Sequence, residues 1–228
     1  LSDTALTQSG VFSLTGSYLT TVNASVAAGT ATYLYSNESS TNADVVDTIA
    51  NVENIVGTGE IDYIVGSSGA NTIDAGAGAD YVTGGAGVDT FNQDGTDSVA
   101  TSGETIAAGA SGAIAAGDTL TFANGVDVIS DFAAGNGGDI LDTVNGAAAT
   151  TGIGETEDDL TEDTVFFFSG AFNASTGAFV IAADGAGADT LIIENETTAA
   201  NDDIASNTTA VVLVGVDSDD LIGYNMGA

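Results

Sequence analysis

The sequence predicts an all-β chain wound around a central stack of short parallel turns, and three observations carry that prediction. Residues 57–92 repeat with an in-register period of nine. The flanking segments alternate short β-branched and aromatic runs with Gly, Ser and Asn, and none of them carries a convincing helical period. Hydrophobic residues make up 43% of the 228 positions, enough for a buried core in spite of a formal charge of −33.

Taken in order, the first strands are Val11-Phe12-Ser13-Leu14 and Thr30-Ala31-Thr32-Tyr33-Leu34-Tyr35. TIANVENIV (48–56) keeps an apolar Ile55 and an acidic Glu53 but lacks the glycines, and reads as a capping turn at the head of the repeats. Four blocks come next: GTGEIDYIV (57–65), GSSGANTID (66–74), AGAGADYVT (75–83) and GGAGVDTFN (84–92). Small residues fill the first four places of each. The sixth place holds Asp62, Asn71, Asp80 or Asp89, and the eighth holds Ile64, Ile73, Val82 or Phe91. This is the nonapeptide pattern of parallel β-helix turns. The glycines Gly57, Gly59, Gly66, Gly69, Gly76, Gly78, Gly85 and Gly87 permit tight turns whose carbonyl oxygens can converge on an ion. The eighth-place residues are expected to point inward.

Those four blocks resemble the repeats-in-toxin, or haemolysin-type calcium-binding, family. The likeness is looser over 117–142, where GDTLTF, GVDVISDF and GGDILD echo segments that often come after such repeats, and again at GAGADTLIIEN (185–195). The resemblance implies a right-handed parallel β-roll in which two nonapeptides make one coil and the turns bind Ca2+. It also implies export by type I secretion through an uncleaved signal near the carboxyl end. A hard cation takes six to eight oxygen ligands, here Asp carboxylates and turn carbonyls. The expected metal residues are the sixth-place side chains and repeat glycines named above, with Asp74, Asp118, Asp127, Asp131, Asp139, Asp142 and Asp189. Because a coil spans two blocks, Asp62 and Asp80 should share one side and Asn71 and Asp89 the other. Asn71 removes a charge from its side, so the Asp62/Asp80 side should bind more tightly.

Beyond the repeats, Val165-Phe166-Phe167-Phe168 and Phe179-Val180-Ile181 flank Asn173 to Gly177 and read as a hairpin. Three adjacent Phe cannot share one side of a strand. One of them covers the end of the roll or faces another subunit, or the strand is buried on both faces. Ala210 to Val216 is a strongly apolar strand, followed by an acidic run that reads as a solvated face. Three regions result: 1–47, an amino-terminal strand segment suited to an assembly arm; 48–142, the roll; and 143–228, a β-rich cap carrying the secretion region.

Composition excludes much chemistry. The 33 acids face no Lys, Arg or His, and Cys, Pro and Trp are absent. Nucleophilic triads, phosphate loops and His- or Cys-ligated metals are ruled out. Nucleic acid is excluded as a partner for want of cations, and anionic membrane surfaces repel the chain. No apolar run is long enough to span a bilayer. The sequence therefore favours a secreted, non-enzymatic, calcium-dependent structural protein that assembles with copies of itself into a lattice or filament. The alternatives are an adhesin that binds cell-surface polysaccharide, or the secretion tail of a larger hydrolase.

Overall fold

Along the repeats the chain passes back and forth between two sheets. The computed structural model describes residues 53–59, 61–93, 114–122, 126–143, 150–152, 164–195, 208–221 and 225–227, together with the backbone of short strands elsewhere. The smaller sheet has six strands, all paired in parallel: β2 (Val11–Ser13), β6 (Asn54–Thr58), β8 (Thr72–Gly76), β10 (Thr90–Gln93), β14 (Ile140–Thr143) and β20 (Met226–Gly227). Opposite it runs a second parallel ladder: β3 (Asn23–Ala27), β7 (Tyr63–Val65), β9 (Tyr81–Thr83), β13 (Asp127–Ile129) and β19 (Thr208–Leu213). Tyr63 pairs with Tyr81 and Ile55 with Ile73, so one full coil takes two nonapeptides, as expected. TIANVENIV is more than a capping turn, since β6 pairs along β8 and Ile55 is buried beside Ile73.

The second ladder belongs to a 14-stranded mixed sheet. On one side β4 (Thr30–Tyr35) and β5 (Val45–Ala50) extend it antiparallel, and β1 (Leu6–Thr7) pairs with β5 in parallel. On the other side β18 (Asp189–Asn195), β16 (Thr164–Asn173), β17 (Ala178–Ile181), β12 (Thr119–Thr121) and β11 (Thr105–Ile106) follow β19, all antiparallel, with β15 (Thr150–Thr151) beside β16. Among the described residues the regular secondary structure is thus almost wholly strand. Among the described residues the one helical element is the 3-10 turn Ser218–Asp220, where Asp219 N–H donates to the Asp217 carboxylate. No helix among them is long and apolar enough to cross a membrane.

Alternation along the strands builds two cores, one on each face of the large sheet. Ile64, Ile73, Val82 and Phe91 are all buried between the two sheets with Ile55, Ile129 and Leu141. Each such side chain stabilises the fold by roughly 1.5–3 kcal/mol. Val211 and Leu213 belong to this inner core, whereas Ala210 and Val212 belong to a second core on the outer face, covered by Ile114, Leu120, Phe122 and Val126. The Phe triplet obeys the same rule: Phe167 packs on the inner core, Phe166 and Phe168 in the outer one. Of the expectations for that segment, burial on both faces is the one met. The hairpin forms as read, with Asn173 opposite Ala178 and Gly177 at φ 64° closing the turn.

Candidate metal centre in the repeat turns

The sixth-place side chains form two ladders, one on each side of the coil stack. On the first, Asp62 N–H donates to Asp80 Oδ1 at 2.7 Å and Asp80 N–H to Asp127 Oδ1 at 2.8 Å. On the second, Asn71 N–H donates to Asp89 Oδ1 at 2.7 Å and Asp89 N–H to Asp139 Oδ1 at 2.8 Å. Asp62 and Asp80 do share a side, and Asn71 and Asp89 the other. All six residues are buried. Parallel registry causes this: residues 18 apart stack, so each acid lies over the backbone of the coil before it.

Around the ladders, glycine lets oxygens approach the chain. A Cβ on Gly57 would run into the Ala75 carbonyl and lie 2.7 Å from Asp62 Oδ2. On Gly66 it would meet the Gly84 carbonyl and lie 2.9 Å from Asn71 Oδ1. Gly85, at φ 100°, sits against the Ser67 carbonyl in backbone geometry closed to L side chains. At Gly57 and Gly66 a carbonyl oxygen and a side-chain oxygen thus crowd a point where no side chain fits.

Asp89 shows what such a turn lacks. Its Oδ2 is buried and accepts no hydrogen bond. Burial pushes the carboxyl up to about 6, against the hydrogen bond from Asn71 N–H and with help from the charges of Asp139 and Asp131. The chain has no cationic side chain to offer it.

These residues fit a hard divalent cation. On one side Asp62 and Asp80 would hold it with the Ala75 carbonyl; on the other, Asp89 with the carbonyls of Gly84 and Ser67, because Asn71, expected as a ligand, spends its Oδ1 on Ser67 N–H at 2.7 Å and Ser67 Oγ at 3.1 Å and so caps the turn from within. Among the described residues no group of three or more acids forms a metal cluster. The donor set instead joins a few carboxylates to backbone carbonyls, which suits an oxygen-seeking ion.

Other expected residues fall into different places. Asp131 receives Gly84 N–H and Gly85 N–H, each at 2.8 Å, and so fastens the fourth repeat turn. Asp74, on β8, receives Gly76 N–H at 3.1 Å. Gly76, Gly78 and Gly87 have positive φ, while a Cβ on Gly59 or Gly69 would meet nothing nearer than 3.8 Å. Asp118, Asp142 and Asp189 are not brought to the ladders. Asp118 accepts Ala115 N–H beside β12, on the far edge of the large sheet. Asp142 is exposed on the outer side of β14, opposite Asn92. Asp189 opens a strand with antiparallel neighbours, so no coil stacks on it, and its oxygens are taken by Phe172 N–H and Gly215 N–H. Sequence reasoning missed Asn225, which is wholly buried against the last glycine turn and has no local motif to mark it.

Residues 56–91 match the family model of the RTX calcium-binding nonapeptide repeat, in four copies. No curated protein matches the chain.

Proposed function

From four RTX calcium-binding repeats as the premise, we propose that this is a secreted, calcium-dependent structural protein that self-assembles into a lattice or filament. Its repeats and their neighbours wind as a right-handed parallel β-roll. Asp89 carries the calcium part of the reading: a buried carboxylate oxygen with no hydrogen bond, in a glycine turn, in a chain without cations. Self-repulsion among 33 acids opposes the compact state until counter-ions arrive. Extracellular calcium modules work at about 10⁻⁴–10⁻³ M, so folding is deferred until the chain is outside the cell. The structural role draws support from the all-parallel sheet, whose edge strands β2 and β20 run in the same sense and invite stacking of copies along the coil axis. With no His, Cys, Lys or Arg, the composition leaves catalysis little to work with.

A second reading, a polysaccharide-binding adhesin, is favoured by one observation. Tyr63 and Tyr81 stack at 5.1 Å with rings 5° from parallel, and Ile61 and Tyr63 are exposed beside each other.

The test adds calcium at ~1 mM, the range of extracellular modules, to the chelated full chain. Circular dichroism tracks β-structure and light scattering tracks particle size. Folding with ordered growth is expected. A folded chain that stays monomeric would overturn the assembly role and favour the adhesin; no response would overturn the calcium reading.

A further inference from the structure

The glycine turn 133–139 ends the second ladder, and its bonds differ from those of the repeat turns. Asp139 uses both carboxylate oxygens on backbone donors: Oδ1 on Asp89 N–H and Oδ2 on Ala133 N–H, each at 2.8 Å. The turn's carbonyls are met by a side chain from the far end of the chain. Asn225 Nδ2 donates to the Asp139 carbonyl at 2.8 Å and to the Gly135 carbonyl at 3.2 Å, while its Oδ1 accepts Gly135 N–H at 2.9 Å. Only this orientation of the amide matches a donor to two carbonyls and an acceptor to an N–H. The Asn225 backbone carbonyl accepts Leu141 N–H at 2.7 Å, and β20 runs on directly along β14.

We infer that Asn225 is a latch: its amide closes the last glycine turn by doing there what a cation does in the repeat turns. The comparison with a cation rests on the calcium reading above; the latch itself does not. A carboxamide presents a partial positive charge to two carbonyl oxygens and still satisfies an N–H, so this turn closes on the carboxyl-terminal strand instead of on an ion. An isosteric carboxylate would set a negative oxygen against both carbonyls, an arrangement that at neutral pH a bound cation would relieve.

Hydrogen exchange on the full chain in calcium, read at Gly135 N–H and Leu141 N–H, tests this. Asn225→Ala should speed exchange at both by about tenfold or more over the unmodified chain at every calcium concentration that folds it, while Asp62 and Asn71 N–H stay protected. Asn225→Asp should expose the same two amides at the lowest calcium that protects them in the unmodified chain and protect them again as calcium rises, a rescue the alanine variant cannot show. Unchanged protection in Asn225→Ala would overturn the latch. Protection in Asn225→Asp equal to wild type at all calcium levels would overturn the likeness to a cation. If calcium has no effect on the unmodified chain, the calcium reading fails, and the alanine variant still decides for or against the latch.

Discussion

The turns at 84–89 and 133–139 are both glycine-rich, both end in a buried Asp, and both stack on the same side of the coils, yet their electrostatics are opposite. Asp139 has both oxygens on backbone donors, and the carbonyls around it are held by the Asn225 amide. Asp89 has one oxygen on a backbone donor and the other buried without one, and its carboxyl is pushed up to about 6. A glycine turn before an acid is therefore not by itself a metal site. What matters is whether the chain has already supplied its own donors.

Backbone substitutions should separate the two turns most sharply. Gly85 and Gly135 have φ of 100° and 93°, so alanine is strained at both by about 1–2 kcal/mol. Only at Gly85 does the new methyl run into a neighbour, the Ser67 carbonyl; nothing lies within 4 Å at Gly135. Gly85→Ala should lose about 3 kcal/mol or more and Gly135→Ala no more than the strain, measured by denaturant unfolding in calcium. Equal losses would break the contrast.

The acids come next. Asp139→Asn places an amide donor against Asp89 N–H or Ala133 N–H and should destabilise the calcium-folded chain by about 1–3 kcal/mol, a loss that added calcium does not restore. Asp89→Asn should cut both ways: it relieves a buried charge and so weakens the calcium-free chain's resistance to folding, but it lowers Tm in calcium by a few degrees, as read by thermal unfolding.

Proton linkage gives a gentler form of the same test. The folded carboxyl of Asp89 lies near 6, above its ordinary 3.8, so protonation favours the folded state. In chelator its contribution to stability is complete below about 3.8 and is lost as pH rises through 6. Calcium competes with that proton, and its affinity on the second ladder should fall below about pH 6. A calcium titration at pH 5 and 7 checks both. The smallest effect expected is between ladders: Asp80→Ala should weaken calcium binding more than Asn71→Ala, because Asn71 carries no charge. Equal effects would discredit the ranking of the two sides.

The nine-residue period made the core of the molecule legible. It fixed which side chains face inward and which acids share a side, because both result from 18-residue stacking. The hairpin at 173–177 was legible from its flanking apolar runs. Asp127 and Asp139 were only loosely marked, since they join the ladders 47 and 50 residues after Asp80 and Asp89. The chain leaves the stack after β10 and comes back at β13, so no fixed period survives that excursion, and backbone pairing alone restores register. Asp189 shows the opposite case. GAGAD has the local signature of a repeat turn, but the strand it opens pairs antiparallel on both sides, and local glycines do not determine strand direction. Asn225 had no signature because its partners lie 86 and 90 residues away.

The ladder bonds all point one way: each coil's sixth-place N–H is received by an acid of the coil that comes after it. The repeats are thus creditors of later sequence. A cassette cut at residue 92 would keep every nonapeptide and still strand its last two rungs, because the acceptors for Asp80 and Asp89 N–H are Asp127 and Asp139. The repeat motif does not contain all that it needs to close, and its smallest self-sufficient piece extends at least to residue 139.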